Sequence, residues 1–108
     1  MGFYVVAGGN KGIGEKTVGI LRSQGHDVVS IGSTGGDIIA DLGTVQGRDK
    51  VVSEVRSRCP DGLDGLVCNA GIAGVPKHKP SYVLSVNYFG AVAIATGLYE
   101  LLKMKKGI

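Results

Sequence analysis

The stretch VVAGGNKGIG at residues 5–14 decides how the beginning of this chain folds. Its apolar start belongs to a β-rich run, Phe3–Ala7, of the kind that is buried on both faces of a parallel sheet. Glycines then break the strand, and from Ile13 to Leu21 apolar residues recur at helical spacing. The stretch therefore predicts a strand, a glycine-rich loop and a helix in direct succession.

Each glycine of such a loop has a mechanical reason. The first makes a tight turn, a middle one lets the backbone approach a ligand, and the last lets the helix pack closely on the strand. A helix that begins near Gly12 directs its free N–H groups and the positive end of its dipole over the loop, where a pyrophosphate satisfies both. A plain turn without a ligand has the same composition, so the loop by itself leaves both interpretations open.

The rest of the chain alternates between apolar runs of strand length and helical patterns. Further strands are predicted at residues 28–31, 37–42 and 63–68. Thr44 is a suitable N-cap for a helix that ends near Cys59, and Pro80 suits the first turn of a long helix that ends near Lys103. This alternation predicts one α/β domain over residues 1–108, with a parallel sheet covered by helices. The link before the third strand is much shorter than the crossover of about a dozen residues that a parallel pair normally needs.

Composition limits the classes of function. The chain has 108 residues, of which 44% are hydrophobic and 19% charged, as in globular proteins. Its net charge of +3 comes largely from lysines near the end, and no basic stripe interleaved with aromatic residues indicates nucleic-acid binding. Cys59 and Cys68 lack metal-ligand spacing, so no metal site is expected. The start carries no signal-peptide pattern, and a reduced, cytoplasmic protein is the expectation.

One uncharged stretch has the length of a membrane span. Residues 81–99 carry no charge, and about 20 apolar residues suffice to cross a bilayer. The polar residues Ser85, Asn87 and Thr96 and two glycines interrupt it. We therefore expect a buried helix and no membrane association.

The spacing of Gly8, Gly12 and Gly14 is G-x-x-x-G-x-G, and with it the sequence resembles the short-chain dehydrogenase/reductase family. The family's T-G-x-x-x-G-I-G loop stands here as AGGNKGIG, with Ala7 in place of threonine. Three more matches follow in order: Asp41-Leu42 after the third strand, CNAG at residues 68–71 and VNYFG at residues 86–90. The stretches DGLVCNAG and VLSVNYFGA look most like the bacterial 3α-hydroxysteroid dehydrogenase/carbonyl reductase branch.

The resemblance implies a Rossmann-like parallel sheet with flanking helices, truncated after the fourth strand and its following helix, that binds a nicotinamide dinucleotide. Asp41, Leu42 and residues 69–71 would line the adenine and ribose. The full set of cofactor-binding residues that it implies is Gly8, Asn10, Lys11, Gly12, Ile13, Gly14, Ser33, Asp41, Leu42, Asn69, Ala70 and Gly71.

The identity of the dinucleotide depends on the end of the second strand. An acidic residue there would bond the ribose 2′-OH, but the sequence has Gly32-Ser33-Thr34. Lys11 stands where NADP-preferring members of the family often carry a basic residue, and its charge could reach a 2′-phosphate. NADP is therefore favoured over NAD, with a solvated Lys11 that contacts no ligand as the alternative.

The family's reaction is hydride transfer between a nicotinamide and a carbonyl or hydroxyl compound. Of the catalytic residues that the resemblance implies, only the asparagine, Asn87, has an equivalent, and the serine and the Tyr-x-x-x-Lys pair do not. Tyr99 and Lys103 have the spacing, but they lie at the end of the helix that carries Asn87 and are expected to be a decoy. We expect this chain to bind a dinucleotide with little or no turnover. Half of a split enzyme and a non-enzymatic assembly module are the alternatives.

The same truncation would leave the strand at residues 63–68 at an open edge of the sheet. An unpaired apolar edge invites another chain. We therefore expect a homo-oligomer, formed through this edge or through the long apolar helix.

Overall fold

A computed structural model of the chain describes residues 2–9, 12–69 and 91–105. Within them, parallel strands form one sheet in the order β3-β2-β1-β4. The strands are β1 (Phe3–Ala7), β2 (Asp27–Gly32), β3 (Ile38–Ile39) and β4 (Gly65–Cys68). The helices are α1 (Gly12–Ser23), α2 (Val45–Arg58), α3 (Ala91–Gly97) and α4 (Tyr99–Lys105). The predicted α/β architecture with a parallel sheet is confirmed.

β1 lies inside the sheet because its side chains are apolar on both faces. Val5 and Ala7 belong to one core, which α2, α3 and α4 cover, and Val6 belongs to another, where Val18 of α1 packs against it. Val5 and Val6 are both fully buried. Burial on both faces explains why this strand reads as an uninterrupted apolar run.

β3 is much shorter than the predicted strand at residues 37–42. It pairs with the last residues of β2, Ile31↔Ile38 and Gly32↔Ile39. Because β3 begins beside the carboxyl end of β2, the chain does not have to return along the length of β2. The usual crossover is therefore unnecessary, and a turn through Gly36, whose φ is 103°, makes the connection.

α2 begins and ends where the sequence predicts. The Thr44 hydroxyl accepts a hydrogen bond from the Gly47 N–H at 3.0 Å, which confirms the N-cap. Cys59 is the C-cap, and its N–H donates to the Val55 carbonyl. Gly47 packs against the Asp41 backbone so closely that a Cβ would overlap it.

The helix predicted from Pro80 to Lys103 is not continuous over residues 91–105. It is interrupted at Leu98, between α3 and α4. The Gly97 carbonyl there accepts a hydrogen bond from Arg56 Nη2 at 2.8 Å, and Leu98 is fully buried in the core. The part at residues 80–90 lies outside the described residues. Among the helices that the structure describes, none is long and apolar enough to span a membrane.

Candidate functional site

Several predicted site residues meet at one edge of the sheet. Gly8 follows β1, Ser33 follows β2 and Asn69 follows β4. The strands are parallel, so their carboxyl ends lie at the same edge. In open α/β sheets, ligands bind outside this edge where the strand order reverses, which in this chain is between β1 and β4. The crevice there is the candidate site.

The glycine loop folds back over the end of β2. The N–H groups of Gly8 and Gly9 both donate to the Ile31 carbonyl, at 2.7 and 3.1 Å. Gly8 has a φ of 82°, in the left-handed region that glycine adopts without steric cost. The first glycine therefore makes the tight turn that the sequence predicts.

Gly14 brings the helix onto this turn. A Cβ at Gly14 would overlap the Gly8 carbonyl oxygen and would lie 3.0 Å from Nδ2 of Asn69. The first turn of α1 thus rests on the loop and beside the end of β4. Three predicted site residues, Gly8, Gly14 and Asn69, are brought together by an approach that only glycine permits.

Within residues 2–9, 12–69 and 91–105, no side chain covers the beginning of α1 at Gly12. A Cβ at Gly12, whose φ is 54°, would meet nothing within 4 Å, and the Ile13 side chain is 75% exposed. The first N–H groups of a helix have no partners within the helix, and the dipole adds positive potential there. Glycine backbone on the exposed side lets an anion approach these groups closely, so the residues present fit a phosphate.

Asp41 and Leu42 lie in a fixed turn between β3 and α2. Oδ1 of Asp41 accepts a hydrogen bond from the Gly43 N–H at 2.8 Å, and its carbonyl accepts from the Thr44 hydroxyl at 2.9 Å. Leu42 is only 7% exposed, and its side chain belongs to the core. A ligand could therefore meet the backbone of Leu42 but not its side chain. Ser33 is exposed directly after β2.

Five predicted site residues lie outside the described part of the chain and remain predictions: Asn10, Lys11, Ala70, Gly71 and Asn87.

The Tyr99–Lys103 pair lies away from this edge. Nζ of Lys103 is 6.0 Å from the centre of the Tyr99 ring, and Tyr99 is 58% exposed. Between them, the Leu101 carbonyl accepts a hydrogen bond from the N–H of Leu63, which precedes β4. The pair is therefore on a helix anchored at the amino edge of the sheet, opposite the glycine loop.

Sequence reasoning missed two polar residues beside the site, Ser30 and Asp37. Ser30 is 6% exposed, and its hydroxyl contacts the Asp37 carboxylate. Burial raises the pKa of Asp37, but hydrogen bonds from Ser30 and the charges of Arg22 and Arg58 outweigh it and hold the pKa below 3.8. A serine inside an apolar strand was the available signal, because a buried hydroxyl needs a partner.

Over the described ranges, no cluster of side chains suits a metal ion.

Comparison with known proteins connects this site to a family. No protein-family model matches the chain. It is 38% identical over 103 residues to the 3-alpha-hydroxysteroid dehydrogenase/carbonyl reductase of Comamonas testosteroni, which covers 95% of this chain. An oxidoreductase of Brucella ovis, described as a short-chain dehydrogenase/reductase, superposes with a TM-score of 0.88 at 26% identity, over 99% of this chain and 58% of its own. The chain belongs to the short-chain dehydrogenase/reductase family.

A crystal structure of a 3-alpha-hydroxysteroid dehydrogenase from a Pseudomonas species, complexed with NADH, is also similar. It is 39% identical, has a TM-score of 0.86 and covers 94% of this chain and 42% of its own. The predicted Rossmann-like fold and the predicted resemblance to this branch are both confirmed. The chain spans only 40% of the length of the Comamonas protein.

Proposed function

We propose that the chain binds a nicotinamide dinucleotide at the carboxyl edge between β1 and β4. The observation that carries the proposal is the contact of Gly14 with the Gly8 carbonyl, beside a first turn of α1 that nothing covers at Gly12 in the described part of the chain. The NADH in the 39% identical Pseudomonas structure supports the same class of ligand. The activity of the whole protein, in this proposal, is hydride transfer between the dinucleotide and a carbonyl or hydroxyl compound.

The cofactor, when bound, supplies or accepts the hydride. The residues of this chain bind and orient it. N–H groups at the start of α1 hold the pyrophosphate, the turn at Gly8 keeps the backbone close, and Asn69 lies at the crevice wall. Asp41 and the backbone of Leu42 line the part of the site that holds the adenine. Among the 108 residues we assign no catalytic serine or tyrosine, so the proposal includes binding with little or no turnover, and Asn87 remains a predicted catalytic residue.

Within this proposal the preferred cofactor is NADP. Gly32 ends β2, and Ser33 after it is exposed, so no carboxylate occupies the position that would repel a 2′-phosphate. Asp37, the next acidic residue, has its carboxylate engaged by Ser30 and Arg22. Lys11 is the predicted partner of the 2′-phosphate. The NADH in the related structure supports the alternative, a preference for NAD.

Titration of the chain with NADPH and with NADH, followed by nicotinamide fluorescence, tests both statements. We expect binding of both, with the lower Kd for NADPH. Ile13→Glu and Ile20→Glu make a matched pair, because both side chains are exposed on α1, at 75% and 58%, near opposite ends. A carboxylate at position 13 should weaken binding about tenfold, or about 1.4 kcal/mol, by repelling the phosphates.

Ile20→Glu should leave the Kd unchanged. Binding of neither cofactor by the wild type would refute the proposal and favour a non-enzymatic assembly module. Equal loss of affinity in both variants would refute the position of the phosphates. A lower Kd for NADH would refute the preference for NADP alone.

We also propose that two copies of the chain associate through β4. Within the described residues β4 pairs only with β1, and Val67 on it is 36% exposed. Light scattering at micromolar concentration should give a mass above that of one chain. A monomer would contradict the proposal, and a second, different polypeptide that co-purifies would favour half of a split enzyme.

A further inference from the structure

The Asp37 carboxylate forms a hydrogen-bonded junction at the end of β2. Its Oδ2 accepts hydrogen bonds from the N–H of Ser30 at 2.9 Å, from the Ser30 hydroxyl at 3.2 Å and from Nη2 of Arg22 at 3.0 Å. The N–H of Asp37 donates in return to the Ser30 hydroxyl at 3.0 Å. Asp37 and Ser30 are thus joined by both backbone and side-chain groups.

This junction extends the ladder between β2 and β3. The strands are paired at Ile31↔Ile38 and Gly32↔Ile39, and the Ala40 N–H donates to the Gly32 carbonyl. The next pair toward the start of the strands is Ser30 with Asp37, and Gly36, directly before Asp37, turns the chain with a φ of 103°. There the carboxylate of Asp37 takes the place of a backbone carbonyl as the acceptor for Ser30. The loop at residues 33–36 is therefore closed at its base by a side chain.

The same end of β2 holds the glycine loop. A Cβ at Gly9 would lie 2.9 Å from the Cβ of Ser30, so the glycine loop packs directly on that residue. The Ile31 carbonyl, on the opposite edge of β2 from Asp37, accepts the hydrogen bonds of Gly8 and Gly9. A shift of Ser30 would thus move the glycine loop and the loop at residues 33–36 relative to each other.

Arginines of α1 and α2 also donate hydrogen bonds to Asp37. Arg22 of α1 bonds the Asp37 carboxylate, and its Nη2 donates to the Val28 carbonyl at 3.2 Å as well. Arg58 of α2 donates to the Asp37 carbonyl at 3.4 Å. The carboxylate is paired with a cation on the α1 side of the sheet, and the residue is attached to β2, α1 and α2 together.

We propose that Asp37 is a positioning residue that holds the loop at residues 33–36 so that Ser33 faces the ribose of the bound dinucleotide, and thereby sets the relative affinity for NADPH and NADH. The inference rests on the proposed function. Asp37 itself does not touch the cofactor. It acts through Ser30 and through the backbone of the loop that follows β2.

Asp37→Asn and Asp27→Asn are matched variants for the test. Both remove one negative charge from β2 or its neighbouring loop, and Asp27 is exposed at the amino end of the strand, far from the carboxyl edge. Ser30→Ala removes the partner hydroxyl and serves as a second variant if Asp37→Asn does not fold. The Kd values for NADPH and NADH are measured for each variant, and hydrogen exchange of a peptide that spans residues 31–39 is followed without cofactor.

We expect the ratio of NADPH affinity to NADH affinity to fall about fivefold in Asp37→Asn, the size typical of residues that act through a network. Exchange over residues 31–39 should be faster in Asp37→Asn, and Asp27→Asn should resemble the wild type in both measurements. An unchanged ratio, including one in which both affinities fall equally, would overturn this inference and leave the proposed function intact. Binding of neither cofactor by the wild type would overturn the two together.

Discussion

Replacing Gly14 with alanine should separate the first turn of α1 from the glycine loop. The added Cβ would overlap the Gly8 carbonyl oxygen, and it would lie 2.8 Å from the Gly8 carbonyl carbon and 3.0 Å from Nδ2 of Asn69. The nearest atoms are backbone, which cannot rotate away as the tip of a side chain can. We therefore expect the upper end of the usual cost of overpacking, about 3 kcal/mol. For a domain of this size, that loss lowers Tm by about 15 °C.

Gly19→Ala is the matched control, because it makes the same change in the same helix. A Cβ at Gly19 would meet nothing within 4 Å, and the residue is exposed. Alanine there should stabilise the helix by about 0.5–1 kcal/mol, since glycine costs that much within a helix. The two variants should thus change Tm in opposite directions.

Thermal unfolding followed by circular dichroism measures both variants, and titration with NADPH measures their binding. Gly14→Ala should weaken binding because the displaced helix no longer aims its N–H groups over the loop, whereas Gly19→Ala should bind as the wild type does. Equal Tm values for Gly14→Ala and the wild type would refute the close packing on Gly8. If Gly14→Ala were destabilised but bound NADPH with unchanged affinity, the proposal that the first turn of α1 helps to bind the cofactor would be refuted.

Other predictions concern titration, thiols and capping. Burial raises the pKa of Asp37, but the hydrogen bonds from Ser30 and the neighbouring arginine charges outweigh it and hold the pKa below its ordinary value. The resulting stabilisation is therefore present at pH well above the unfolded-state pKa and is lost as pH falls through the folded-state pKa. Urea unfolding should therefore show a larger destabilisation by Asp37→Asn at about pH 6 than at about pH 3, and an equal loss at both would contradict it. Burial raises the pKa of both thiols, that of Cys59 to about 11, but Cys59 is buried whereas Cys68 is exposed. Iodoacetamide should therefore label Cys68 first, with mass spectrometry showing Cys59 labelled only on unfolding. Thr44→Ala should lower the free energy of unfolding by about 1 kcal/mol in urea, and no change would argue against the N-cap.

The central elements of the fold could be predicted because their signals are local. The strand Phe3–Ala7 and the helix after Gly12 each follow from a short pattern, and the Thr44 cap follows from one residue type at the start of a helix. The interruption at Leu98 has no such signal, and the hydrogen bond beside it joins Arg56 of α2 to the Gly97 carbonyl across 41 positions of sequence. The length of β3 likewise depends on its register with β2.

The sequence by itself determined the order of strands and helices, the family, and the glycines whose missing side chains let helix and loop meet. These follow from residue type and spacing, which act over a few positions of the chain. Only the tertiary structure decided that Leu42 turns its side chain into the core, that Asn69 lies beside Gly14, and that Asp37 is joined to Ser30 and Arg22. Each of these contacts joins segments that pair only after the sheet has formed, and their energies depend on distances that the linear pattern does not contain.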